Sequence, residues 1–425
     1  MWGGTLIIFA NLFSDLAVDL REERQLAQWS QQAPREIWLL QAGDVLVSPV
    51  PVGNEFVQYV TQMTGVMPDS FTIIEVPLAS AVPLAEAVHR AGLTEHLKAV
   101  AGQADTALLP TALDASAVGF ARDMGFTVLP YVTVDDASVA VEVAMSLNTK
   151  SGFRQVANEL GIRVPENRVC QRHEVEDAVR SALQTHERVV VKPDRSAGGH
   201  GMRFVSRGDA KTGAVLEPGA VGGLRGSWVI EECLDLAASV SIQLENHASG
   251  TRVMFSGMMQ APQGSFTGYL SPLPVHASHA AQKMEQWGLQ LGCYLAQHGY
   301  LGPFGLDALV SAEGAVYAGE SNVRRTATTI PHAMVARLTA HSALARPTWS
   351  LKTGRTRKAH CFKQALARIQ AHRLGFEPAS GEGVVLYGEP TSGGHVWRYV
   401  VMGADAAGVQ DQEAELAGVL GLVVD

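Results

Sequence analysis

Apolar and polar positions follow two rhythms along the first 145 residues. Short apolar runs at 5–10, 36–41, 70–76, 106–109 and 126–129 have the length of strands, whereas 84–101 and 112–124 carry the wider spacing of helices. Strands alternating with helices predict a mostly parallel, doubly wound sheet. Loops beyond the carboxyl ends of such strands bind ligands, and Asn11, Ser14, Asp15 and Asp44 stand at strand ends. Taken singly, each is accounted for as a cap or turn residue. No G-x-G-x-x-G occurs here, so dinucleotide binding is unsupported.

The rhythm changes near residue 146. A helix is expected over 152–160, ended by Gly161 with Pro165 beyond, and a second over 174–183. Val189, Val190 and Val191 then form a buried strand that ends at Lys192-Pro193. A small-residue loop, 196–201, leads into a strand at 202–206, and a glycine-rich connection, 217–226, into an apolar strand that turns acidic over 228–235. Two strands (239–244, 252–259) and a helix (284–298) follow. The next pattern is a hairpin, with strands 305–310 and 315–320 around Glu313-Gly314. Beyond 346 the composition shifts: 353–357 reads as a linker, 359–374 and 410–420 as helices, and 383–387 and 396–402 as strands around a turn.

Two of these stretches carry candidate chemistry. Glycines let backbone N–H groups approach anionic oxygens, so strand, Lys192, glycine loop and strand make a phosphate-holding arrangement. It is not a Walker loop, because no G-K-[ST] closes it and a strand follows. Taken alone, a plain hairpin turn accounts for the loop equally well. In the hairpin, Asp307 and Glu320 face each other near the open end, with Asn322 two residues on along the same side. Three converging oxygen ligands suit Mg²⁺, which takes a carboxylate or two together with phosphates and waters. Solvated turn residues are the alternative, against which stand the apolar neighbours Phe304, Leu306, Leu309 and Val316.

Composition narrows the class. With 425 residues, two or three domains are expected. A 47 % hydrophobic and 18 % charged chain is an ordinary globular one. The net charge of −9 supplies no basic field for nucleic acid or an acidic membrane. Four scattered cysteines without C-x-x-C indicate neither a zinc site nor a disulfide framework, as in a reducing cytoplasm. The apolar segment at 6–10 is too short to span a bilayer.

Over residues 146–345 the combination resembles the ATP-grasp superfamily. Its pattern of an opening Lys, K-P-x-x-x-x-G-G-x-G, an acidic hinge and D…E-x-N-x-R is met by Lys150, by Lys192 through Gly201, by Glu231-Glu232-Cys233-Leu234, and by Asp307…Glu320-Ser321-Asn322-Val323-Arg324. The resemblance implies ATP and Mg²⁺ as cofactors. Lys150 and Lys192 would contact the phosphates, and Ser196, Gly198, Gly199 and Gly201 would cover them. Glu231, Glu232 and Leu234 would form the nucleotide hinge, the latter two holding adenine through their backbones. Asp307, Glu320 and Asn322 would hold the metal, and Arg324 the transferred phosphoryl group. Two positions depart from the family: Leu236-Ala-Ala-Ser239 brings no carboxylate for the ribose, and Gly305 stands where D-alanine ligases carry an Arg.

The opening Gly3-Gly4-Thr-Leu-Ile-Ile-Phe-Ala-Asn-Leu-Phe-Ser-Asp15 and Lys150-Ser-Gly-Phe-Arg154 are similar to the pheganomycin-type peptide ligases. That likeness implies a pre-ATP-grasp domain (1–145), an ATP-grasp core of two α+β lobes (146–345) and a small C-terminal α+β domain (346–425). It also implies a cytoplasmic ligase of natural-product biosynthesis that joins a modified amino acid to a peptide through an acyl phosphate. A second copy of the chain is expected as a partner; nucleic acid and membrane are not. The turn at 390–394, with Tyr387, Trp397 and Tyr399 nearby, suggests a surface for an extended peptide, packing under the terminal helix being the alternative. Ligation of small metabolites without a peptide, or ATP binding without chemistry, are the competing functions.

Overall fold

The computed structural model describes residues 4–17, 23–77, 82–102, 105–208, 226–344 and 346–423. Gly3 and, apart from Gly226, the glycine-rich connection expected over 217–226 lie outside them.

The doubly wound expectation holds. Strands β1 (Leu6–Phe9), β2 (Val45–Ser48), β3 (Thr72–Glu75), β4 (Ala107–Pro110) and β5 (Thr127–Val128) are parallel, in the order β3-β2-β1-β4-β5. The winding reverses between β1 and β4, which puts the ligand-binding crevice of such sheets at their carboxyl ends. Two elements differ from the sequence reading. Residues 36–41 are not a strand: Ala33–Leu39 is a 3₁₀ helix, and β2 lies further on. Pro34 in its first turn has a φ suited to a helix start, and an apolar run this short has no period to separate buried helix from buried strand. The 84–101 helix is two, Leu84–Arg90 and Thr94–Ala101, broken at Gly92 with φ +69°.

Helices Val134–Leu147 and Lys150–Glu159 lead into a small antiparallel sheet. Its strands are β6 (Asn167–Gln171), β7 (Arg188–Pro193), β8 (Arg203–Ser206) and β9 (Ser227–Glu232), ordered β6-β9-β7-β8. Helix Val175–Thr185 covers it, and Val179, Leu183, Val189, Val191, Trp228 and Ile230 form a core of its own.

The large sheet follows. Strands β10 (Leu236–His247), β11 (Gly250–Gln260), β12 (Gly268–Ser271), β13 (Gly302–Ser311) and β14 (Val316–Asn322) run in the order β14-β13-β10-β11-β12, packed against helix Ser278–Gln297. The sheet does not stop there. The expected linker at 353–357 begins inside a strand, β15 (Thr348–Thr356), which pairs antiparallel with β12 from Gly268↔Lys352 to Ser271↔Trp349. β16 (Gly383–Leu386), β17 (Val396–Gly403) and β18 (Leu422–Val423) complete it, so the C-terminal residues extend the same sheet. A basic stretch resembles a linker in composition, but Trp349, Ser350 and Leu351 are buried and Lys352 is paired with Glu413.

The alternating faces of β1 serve two cores. Ile7 and Phe9 join one that continues through Val240, Ile242, Met284 and Leu306; Ile8 and Ala10 join another with Trp38, Trp349, Val385 and Trp397. Phe362 meets Phe56 and Tyr59 edge-on at 5.6 and 5.4 Å, and Trp38 Nε1 donates to Tyr387 O at 3.0 Å. This packing removes the three aromatics from the surface expected around 390–394. Tyr387 and Trp397 are 0 % exposed and Tyr399 4 %, because the N-terminal sheet, the large sheet and helix Ala406–Leu420 enclose them.

Candidate active site

The site is built where the small sheet, the large sheet and helix Lys150–Glu159 meet. The buried run Val189–Val191 anchors β7, and Lys192 emerges at its end. Gly198, Gly199 and Gly201 then take φ of +62°, +80° and +74°, which L side chains rarely adopt. At Gly199 space is also lacking, since a Cβ would lie 2.1 Å from Gly264 O. The loop therefore lies in contact with the β11–β12 connection, across the cleft.

A side chain that the sequence reading did not single out, Asp194, fixes this loop. Asp194 accepts from Ser151 N at 2.7 Å and Ser151 Oγ at 2.9 Å, while its carbonyl accepts from Lys150 N at 2.9 Å. It thus ties the loop to the start of the Lys150 helix, where unsatisfied amides favour a carboxylate. Arg154, one turn further, bonds to the Glu231 carboxylate and to Gly319 O.

Glu231 is the centre of the first cluster. Its buried carboxylate joins Arg154 on one oxygen and Lys192 Nζ on the other. Burial works to raise its pKa, but Lys192 and Arg154 together hold it below the ordinary value. Glu231 thus positions Lys192 and has no free oxygen for a ligand. Glu232 turns outward to Glu166 N at 2.9 Å. The Glu232 amide donates to Glu166 O at 2.9 Å, and beyond it no backbone hydrogen bond of the Leu234 amide is found among the described residues. Next to this hinge a recess of about 260 Å³ is lined by His186, Glu187, Arg188, Cys233, Leu234 and Asp235.

Lys150 connects the loop to the hairpin. Its Nζ lies 3.0 Å from Ser196 Oγ and 3.7 Å from Glu320 Oε2. Burial pushes its ammonium down and Lys192 adds to this, while Glu320 opposes it. Lys150 is thus a buried cation held between the glycine loop and a carboxylate.

Asp307 and Glu320 are directly paired between β13 and β14, and a bulge at Gly319 follows at once. Bulges re-aim side chains beside functional sites. Asn322 Nδ2 donates to Asp307 Oδ2 at 3.0 Å, and Ser241 also bonds to Asp307. Burial, with the like charge of Glu320, pushes Asp307 up to about 7. A divalent cation between the two carboxylates would relieve that repulsion, so the donor set of two carboxylates and an amide suits Mg²⁺. Among the described residues no group of three His, Cys, Asp or Glu side chains offers an alternative metal site.

Arg324 completes the arrangement. It is half-buried, and its Nη1 donates to Asn148 Oδ1, which also accepts from Val323 N at 3.1 Å. Asn148 Nδ2 in turn donates to Ala144 O and Val323 O, so the end of helix Val134–Leu147 sets the course of the Arg324 loop. Neither departure from the family pattern is made good by a like residue. The stretch 236–239 opens β10 without a carboxylate, and the space beside Gly305 is filled by Gln243.

Comparison with known proteins agrees with this geometry. Residues 33–126 match the family described as the pre ATP-grasp domain, and 149–249 match the ATP binding domain of the carbamoyl-phosphate synthase L chain. Both matches are to ATP-grasp families, and they support the ATP-grasp superfamily for this chain. No curated protein matches. Among solved structures it is similar to N5-carboxyaminoimidazole ribonucleotide synthetase from Thermus thermophilus, with 14 % identity, 99 % of each chain covered and a TM-score of 0.58. The N5-carboxyaminoimidazole synthase of Aspergillus clavatus, in complex with ADP and 5-aminoimidazole ribonucleotide, has 12 % identity, coverage of 99 % and 100 %, and a TM-score of 0.57. The biotin carboxylase domain of the Hydrogenobacter thermophilus 2-oxoglutarate carboxylase, solved with MgADP and bicarbonate, gives 13 %, 98 % and 90 %, and 0.58. At these identities the likeness is one of fold, and it spans the whole chain.

Proposed function

We propose that this protein is an ATP-dependent carboxylate–amine ligase that forms an amide bond through an acyl phosphate. The observation that carries the reading is the position of Lys150, which bridges the glycine loop at Ser196 and the carboxylate pair at Glu320. It stands between a phosphate-holding and a metal-holding element, as phosphoryl transfer from ATP requires.

In the first step an oxygen of the donor carboxylate attacks the γ-phosphorus in line, and the bond from that phosphorus to the β-bridging oxygen breaks. ADP leaves and an acyl phosphate remains. An amine then attacks the acyl carbon, loses a proton and expels phosphate. Lys192, oriented by Glu231, and Lys150 offset phosphate charge, while Arg324 faces the charge that develops on the transferred group. Asp307, Glu320 and Asn322 would hold Mg²⁺, which when bound neutralises charge on the phosphate oxygens. The 196–201 loop, lying against Gly264, keeps water from the acyl phosphate. Positioning of this kind is worth up to roughly 7–11 kcal/mol of barrier.

The finer reading is a cytoplasmic enzyme that joins a modified amino acid to the amino end of a peptide, on the likeness of the opening residues and Lys150–Arg154 to the pheganomycin-type ligases. A second reading, ligation of a small metabolite, is favoured by the burial of Tyr387, Trp397 and Tyr399 and by solved relatives named for small-metabolite carboxylation. Turnover of ATP across a panel of carboxylates and amines, with products identified by mass, decides between them. Stoichiometric pyrophosphate instead of ADP and phosphate would remove the acyl-phosphate route altogether.

A further inference from the structure

Arg325 follows Arg324 but faces away from the phosphate end. Its amide donates to Thr111 O at 3.2 Å, just beyond β4 at the reversal of the N-terminal sheet. Its guanidinium lies 3.3 Å from Glu36 Oε2 and 3.3 Å from Thr111 Oγ1, and Thr111 in turn donates to Glu36 Oε1 at 2.6 Å. Arg325 and Glu36 are both buried; among the described residues Arg325 Nε has no hydrogen-bond partner and Nη1 has only its ion pair with Glu36.

Two more cations reach the same place. The Arg35 guanidinium lies 5.2 Å from the centre of the Tyr387 ring, and Arg398, beside Tyr387 on β17, interacts electrostatically with Arg35 and Tyr387. The Tyr387 hydroxyl is fully buried and has no hydrogen-bond partner among the described residues. Arg35, Glu36, Arg325 and Arg398 all act on that hydroxyl, so the cluster holds three guanidinium groups against one carboxylate. Burial, reinforced by Arg35, works against the charge on Arg398. Buried like charges of this kind are costly unless an anion pairs with them.

We propose that Arg35, Arg325, Arg398 and Tyr387 form a binding site for a compact anionic group, a carboxylate or a phosphate, carried by the amine-bearing substrate. The two faces of the Arg324-Arg325 pair would then hold the two halves of the reaction: Arg324 the acyl phosphate, Arg325 the tail of the acceptor. Assignment of the anion to the acceptor rests on the ligase reading; binding of the anion does not.

The test is calorimetric titration with inorganic phosphate and, separately, with acetate, on protein saturated with Mg·ADP so that the phosphate-end lysines are covered. Wild-type protein should bind at least one of them: phosphate preference marks a phosphorylated acceptor, acetate preference a carboxylate one. Arg398→Gln should weaken that binding about tenfold or more and Tyr387→Phe about threefold, in variants whose circular dichroism is unchanged. Tyr387→Phe removes only the hydroxyl and keeps the test open if Arg398→Gln does not fold. No binding by the wild type, or equal affinity in Tyr387→Phe and the wild type, overturns the site. Anion binding in a protein that forms no amide would leave the site standing and remove the ligase reading.

Discussion

The side chain of Gln243 occupies the space beside Gly305: a Cβ on Gly305 would lie 2.5 Å from Gln243 Nε2 and 3.0 Å from Oε1. Gln243 cannot easily yield, because Nε2 donates to Ser241 Oγ at 2.9 Å and Oε1 accepts from Thr326 Oγ1 at 2.9 Å. An amide thus fills the room into which an arginine at 305 would project. Gly305→Ala is expected to destabilise the protein by about 1–3 kcal/mol, the usual cost of overpacking. Gly319→Ala, where the nearest atom to a Cβ is 3.5 Å away, should cost less. Urea denaturation of both variants checks the difference.

The carboxylate pair predicts a loss of chemistry without a loss of fold. Asp307→Asn and Glu320→Gln each remove a charge while keeping volume, and each should reduce ATP turnover to background. In Asp307→Asn the like-charge repulsion is relieved, so stability without Mg²⁺ should hold or rise; Glu320→Gln also takes a charge partner from Lys150 and carries no such expectation. Turnover near wild type at saturating Mg²⁺ in either variant, or a fall in melting temperature in Asp307→Asn, contradicts the assignment.

Glu231 gives a pH dependence whose sign is fixed. Its folded pKa lies below the ordinary glutamate value of 4.5, so its contribution is fully present above 4.5 and is lost as pH falls through the depressed folded value. Glu231→Gln should leave Lys192 and Arg154 without their charge partner, costing about 3–5 kcal/mol near neutrality. It should also flatten the fall in stability below pH 4.5 and raise the KM for ATP. Denaturant midpoints measured from about pH 3 to 8 on both proteins test the first two points.

Trp397 gives the opposite expectation from a recognition residue. Fully buried between the N-terminal and C-terminal elements, with Nε1 donating to Gly394 O at 3.1 Å, it contributes to stability. Trp397→Ala should cost about 3–5 kcal/mol, as for large-to-small changes in cores. A selective rise in the KM of one substrate, with the melting temperature unchanged, would return it to the binding surface.

Much of the site could be read in the sequence because its parts are local. Strand, Lys192 and glycine loop are contiguous, and the glycines stand where φ is positive. The facing of Asp307 and Glu320 follows from the period of two along a strand and one tight turn. The winding of the N-terminal sheet followed from alternating apolar periods.

Other features depended on contacts distant in the chain. The apolar run at 36–41 has no period of its own, and burial against the C-terminal strands goes with its 3₁₀ helix. The run at 353–357 reads as a linker by composition and becomes part of a strand because β12 and β17 supply its ladder. The partners of Glu231 lie 77 and 39 residues away, and that of Glu36 is Arg325. The sequence by itself determined which groups are candidates to hold phosphate and metal, since backbone conformation and side-chain period are local properties. Only the tertiary structure decided which charges are paired, which aromatics are covered and where uncompensated cations collect, since burial and electrostatics depend on what the rest of the chain brings alongside.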